Sequence, residues 1–169
     1  SEERNRETIT KLKAQYREIL STYKDYENEY EIVKVPLELQ FENIEKLFNA
    51  FEVSMEQNAY TEVGRIVKAI ADVIGNLKVI IEETRPIVSL GKSLIPKKED
   101  DIKNIYDKMT REGYNLEYLN IDANIEEANK KIKDIFGRLN VLNVEDSLFE
   151  LKTMHDYFDS LYADFDKER

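Results

Sequence analysis

Apolar and aromatic side chains recur along this chain in alternating steps of three and four, the spacing that keeps one face of a helix against a neighbour. The first such seam runs Ile9, Leu12, Tyr16, Ile19, Tyr23, Tyr26, Tyr30, Val33. Pro36 disfavours a helical conformation at Val35 and suits the first turn of a new helix, so the pattern predicts one helix over 1–34 and a second over 36–57. The second seam reads Leu37, Phe41, Ile44, Phe48, Phe51, Met55 and stops at Gln57-Asn58-Ala59, where Asn58 fits a cap or tight turn. A third seam, Tyr60, Val63, Val67, Ile70, Ile74, Leu77, Ile81, predicts a helix over 60–93. Pro86, Gly91 and Pro96 crowd its far end and predict a kink near Arg85 and a break just before Pro96.

Beyond Pro96 a helix over 97–112 carries Ile102, Ile105 and Met109 and should end at Gly113, which lacks the Cβ that resists a left-handed backbone. Tyr114, Leu116 and Leu119 are apolar enough to fold back as an ordered cap. A helix over about 122–141 follows a seam that starts at Ile121, at its edge, and continues through Ile125, Ala128, Ile132, Ile135 and Leu139. Another, over 144–168, carries Val144, Leu148, Leu151, His155, Phe158, Tyr162 and Phe165. Asn143 followed by Asp146 resembles a capping box at its start.

Short connections between long helices impose antiparallel packing, and a 3.5-residue period selects shallow crossings. The expected fold is therefore all-α: antiparallel three-helix bundles, one over 1–95 and one over 96–169, placed end to end as an elongated rod. A 34-residue helix would span roughly 50 Å at 1.5 Å per residue, long for a compact globule of this size.

Composition sharpens this picture. The 169 residues hold only five glycines and three prolines, and 36% are charged, which favours long, wet-surfaced helices. A net charge of −10 repels nucleic-acid phosphates and anionic lipid headgroups, so no nucleic acid is expected as a partner. With no cysteine, disulfides and thiolate metal sites are impossible, and a reducing compartment fits. No apolar stretch approaches the roughly 20 residues that cross a bilayer, and the charged, helix-patterned start reads as part of something longer.

Candidate chemistry is thin. Gly91-Lys92-Ser93 spells the end of a phosphate-binding loop, but the glycine required five positions earlier is Pro86. His155, the only histidine, cannot alone furnish a zinc site and reads as a tolerated polar seam residue. Asp25, Glu27 and Glu29 lack the glycine turn of a calcium loop and read as a solvated face. The tyrosine stripe at Tyr16, Tyr23, Tyr26 and Tyr30 reads as core, with the hydroxyls at the rim. No catalytic, cofactor-binding or metal-ligating residue is expected, no cofactor is implied, and the partner-binding residues remain unassigned.

Three passages point to a family: Asn58-Ala59-Tyr60-Thr61; the run from Met109-Thr110-Arg111-Glu112-Gly113 through Tyr114-Asn115-Leu116-Glu117-Tyr118; and Tyr157-Phe158-Asp159-Ser160-Leu161-Tyr162. With the order and lengths of the helices, they make the chain resemble the cytoplasmic region of EzrA, the septation ring formation regulators of low-GC Gram-positive bacteria. The resemblance implies a spectrin-like rod on the inner face of the membrane at the division septum, tethered by an N-terminal transmembrane helix outside this chain. It implies contacts with the tubulin-like division protein FtsZ, whose assembly such proteins restrain, and with other division proteins. The family's short motif near the C-terminal end of the rod has no counterpart here, so no functional residue is carried over. Pro36 stands where a helix-compatible residue is usual, and Lys34-Val35-Pro36 shifts the first turn. The reading from the residues alone leaves two alternatives: a generic spectrin-like or coiled-coil tether unrelated to division, and a small-ligand or metal-binding helical bundle.

Overall fold

A computed structural model describes residues 2–169. Among them there are helices and turns and no strand, as the three-and-four spacing requires. Six α-helices follow one another: α1 (Glu2–Asp25), α2 (Lys34–Glu56), α3 (Tyr60–Ser89), α4 (Ile95–Arg111), α5 (Ile121–Leu139) and α6 (Ser147–Glu168). The chain divides into two compact units, residues 1–82 with 140–142, and residues 83–139 with 143–169.

In the first unit α1 and α2 are antiparallel, since Lys13 pairs with Glu52 whereas Tyr23 reaches Glu38. They meet ring to ring: Tyr16 lies 6.0 Å from Phe41 and 5.9 Å from Phe48, and Tyr23 lies 5.3 Å from Phe41, in edge-on or tilted geometries that suit aromatic quadrupoles. The tyrosine stripe is core at three of its four positions. Tyr16, Tyr23 and Tyr30 are buried, and Tyr16 Oη donates to the Phe41 carbonyl at 3.2 Å. Burial foremost, then the nearby Glu45 carboxylate, pushes the Tyr16 hydroxyl up to about 12; burial, with Glu38 next, does the same at Tyr23. Tyr26 instead turns outward and is 41% exposed.

The reason is a change of helical period. The single helix expected over 1–34 stops at Asp25, and Glu27–Val33 form a 3₁₀ helix. Three residues per turn place Tyr30 and Val33 on the same side, where both are fully buried. Tyr26 precedes the change and loses its place on the seam. Then α2 begins at Lys34, not at Pro36. Val35 is helical after all, because Pro36 falls within the first turn, where backbone N–H groups have no intrahelical acceptor to lose. Asn58 takes the left-handed conformation, φ 57°, and the Ala59 N–H bonds the Ser54 carbonyl at 3.0 Å, which ends α2 in a Schellman turn.

The predicted break before Pro96 does not occur. From Ser89 the backbone passes through a π-helical turn, Leu90–Leu94, directly into α4, with Pro96 in the first turn of the new helix. A widened turn relieves the clash between a prolyl ring and the preceding carbonyl without ending the helix. Pro86 lies inside α3. Gly91 in the π turn is buried beneath the Phe136 ring of α5, which a Cβ at that position would meet at 2.6 Å.

In the second unit α4, α5 and α6 run up, down and up. Lys103 pairs with Asp122 and Arg138 with Glu150, across antiparallel neighbours, whereas Lys98 pairs with Asp159 and Asp101 accepts from Tyr162 in parallel order. Gly113, at φ 97°, closes α4 in a second Schellman turn: the Tyr114 N–H bonds the Met109 carbonyl and the Gly113 N–H that of Thr110. Leu116 tucks in at 1% exposure, so the segment after Gly113 is the ordered cap its composition foretold.

The start of α6 departs from expectation. Asp146 is left-handed, φ 58°, and makes no side-chain cap, while Asn143 Oδ1 accepts the Glu145 N–H at 3.1 Å in a turn of its own. A capping box needs its first residue at the N-cap and its second inside the first turn, and here both precede the helix: Asp146 is itself the left-handed N-cap, and α6 begins at Ser147 rather than at 144. Its buried seam is Ser147, Leu151, Met154, Phe158, Leu161, Phe165, also alternating four and three. His155, Leu148 and Tyr162 flank that seam and are half-buried.

Candidate functional site

A groove of about 600 Å³ in the second unit lies between α5 and α6. Its floor is Ala128, Met154 and Phe158, all buried. Ala128 occupies a seam position of α5 whose companions are isoleucines and a leucine, and its single methyl leaves the depression they would fill. Phe149 stands on one wall with 73% of its surface in water, and Tyr157, 37% exposed, on the same helix. Tyr157 is held in place: its ring packs edge-on against Phe158 at 5.2 Å, and Asn124 Nδ2 donates to its hydroxyl at 2.5 Å. An exposed ring beside an apolar floor is a surface that gains by being covered, because apolar area left in water costs roughly 25 cal/mol per Å².

A second, smaller groove separates α4 from α5 and is lined by Pro96, Glu99, Lys103, Asp122, Ile125 and Asn129. Glu99 occupies the buried row of α4 between Ile95 and Ile102 and is only 6% exposed. Burial first, and then the charge of Asp100, pushes its carboxyl up to about 7. The Asn129 amide reaches it from α5, one end lying 3.0 and 2.9 Å from the two carboxylate oxygens, and donates to both when Nδ2 is the end turned toward Glu99.

The residues singled out from sequence lie elsewhere. Gly91, Lys92 and Ser93 lie within the π turn, and Lys92 rests 5.5 Å from the Phe136 ring centre. His155 lies on the flank of α6, where it adds to the lowering of the Asp159 carboxyl, a shift set chiefly by the hydrogen bond from Lys98. Asp25, Glu27 and Glu29 are exposed around the end of α1. Among the described residues no three His, Asp or Glu side chains gather as a metal site, and no helix is long and apolar enough to cross a membrane. Sequence reasoning passed over Phe149 and Glu99. The signals were present as an aromatic residue off the seam and a carboxylate on it.

Comparison with known proteins gives a consistent result. The family described as "Septation ring formation regulator, EzrA" matches residues 1–169. Among curated proteins, the septation ring formation regulator EzrA of Geobacillus sp. (strain WCH70) is 26% identical over 168 residues, covering 99% of this chain and 30% of that protein. The EzrA of Geobacillus kaustophilus is 23% identical, covering 96% of this chain and 29% of its own length. That of Staphylococcus epidermidis is 23% identical, covering 94% and 28%. The chain thus spans under a third of the length of the relatives it matches. No solved structure matches.

Proposed function

Because this chain belongs to the EzrA family of septation ring formation regulators, we propose that it is a non-enzymatic scaffold segment that acts on the division ring through protein–protein contacts. In this reading the whole protein restrains assembly of FtsZ and engages other division proteins. It does so from the cytoplasmic side of the cell membrane at the septum, held by a transmembrane helix upstream of the residues described above. The observation within the fold that supports a contact role is the α5–α6 groove, where a well-anchored Tyr157 and a solvent-exposed Phe149 flank an apolar floor. Exposed aromatic side chains on a rigid helical scaffold offer large contact area at low entropic cost. The mechanism is steric and positional, and no bond is made or broken.

The test is sedimentation of FtsZ filaments with the full-length regulator. Wild-type protein should lower the pelleted fraction, and Phe149→Ala should weaken that effect while leaving the helical circular dichroism unchanged. Absence of any effect of the wild-type protein at every ratio would overturn the assignment to FtsZ. An unaltered Phe149→Ala protein would remove the groove from it.

A further inference from the structure

Glu99 has an unusual position for a carboxylate. It lies in the buried row of α4 between Ile95 and Ile102, at the bottom of the α4–α5 groove. We propose that Glu99 is a proton-operated latch on the α4–α5 seam: as the acid it is held against Asn129 with the two helices packed as they stand, and as the carboxylate it draws further water into the groove and lets them part locally.

The surroundings favour the acid. Asp100 on the same helix and Asp122 across the groove are negative. Lys103, the cation of this groove, is engaged elsewhere, with Nζ 2.7 Å from Asp122 and 3.3 Å from Asp107. From α6, Asp159 is directed at Lys98, with His155 beside it, and the Tyr162 hydroxyl donates to Asp101. From the π turn, Lys92 rests against the Phe136 ring. None of these places a positive charge on Glu99. Asn129 can meet either form: Nδ2 donates to the carboxylate as described, and after a half-turn of the amide, Oδ1 accepts the proton of the acid in the same place. The hydrogen bond therefore survives protonation, and the burial of charge is what differs between the states.

The sign follows from linkage. In the closed state the carboxyl titrates at about 7, in a hydrated open state near its ordinary value of 4.5. Opening therefore releases a proton between those limits, and the stability of the closed seam is full below the lower value and lost as pH rises through the upper one. One proton corresponds to a tenfold change in the opening constant per pH unit within the window and no change above it.

Native-state amide exchange on the 169-residue chain, corrected for intrinsic rates, should show α4 and α5 groove amides opening at least tenfold more at pH 7.5 than at pH 5. Glu99→Gln should remove that dependence. Carbon NMR of the Glu99 carboxyl in the wild-type chain should give a midpoint near 7, a reading that stands even if the variant folds poorly. A midpoint at the ordinary value would overturn the proposal. So would groove amides that follow pH no differently from the rest of the second unit, or a Glu99→Gln chain with the same pH dependence.

Discussion

Tyr30→Ala is expected to lower the free energy of unfolding by about 3–5 kcal/mol, the range for removing a large, fully enclosed ring from a core that cannot collapse around the gap. Tyr30 is 0% exposed, packs 5.7 Å from the Tyr23 ring, and donates its hydroxyl to the Ile81 carbonyl at 2.8 Å. It ties the 3₁₀ segment to α3, so its loss leaves Glu27–Val33 held in the core by Val33 alone among its buried residues. Tyr30→Phe keeps the ring and forfeits only the hydrogen bond, which is worth about 1 kcal/mol. Urea unfolding followed by circular dichroism measures both. A loss below about 1 kcal/mol for Tyr30→Ala would show that the ring is not enclosed as described.

Phe158→Ala should destabilise the second unit comparably, by about 3–5 kcal/mol, because the ring is 1% exposed at the centre of the α6 seam and forms part of the floor of the α5–α6 groove. Loss of the floor should also release Tyr157, whose ring rests edge-on against it. The informative comparison is Phe149→Ala nine positions earlier. Chemically it is the same deletion, but at a side chain 73% in water, and surface substitutions of this kind usually fall within about 0.5 kcal/mol. Equal destabilisation by the two would contradict the division of α6 into a buried seam and an exposed contact face. A large loss at Phe158 alone would support reading any effect of Phe149→Ala on division-ring assembly as a surface effect.

Most of the helical architecture could be read from spacing because burial requires it. Ile9, Leu12, Tyr16 and Ile19, or Ile70, Ile74, Leu77 and Ile81, can share one side only on a helix, and all of them are buried. Asn58 and Gly113 were legible as helix stops because their backbones tolerate positive φ, and both adopt it. The phase of α6 was not legible. Met154 and His155 are adjacent, and two interleaved three-and-four patterns run through the same residues. Packing against α4 and α5 chose the one that buries Met154 and Leu161.

Glu99 was missed for a related reason. A break assumed just before Pro96 separated Ile95 from Glu99 and Ile102, whereas α4 begins at Ile95, with Pro96 in its first turn, and carries all three on one buried row.

What the sequence alone determined is local and periodic: which segments are helical, where left-handed stops lie, the absence of thiol chemistry, and enough family-specific residues to place the chain among septation ring regulators. What only the tertiary structure decided depends on neighbours distant in sequence. That Tyr26 faces water while Tyr30 is enclosed, that Phe149 is left uncovered above the space Ala128 leaves, and that Glu99 shares its groove with Asn129 all follow from how helices meet. A helix records its own period in its residues, but whether a given side chain is covered, and by what charge or ring, is a property of the surface brought against it.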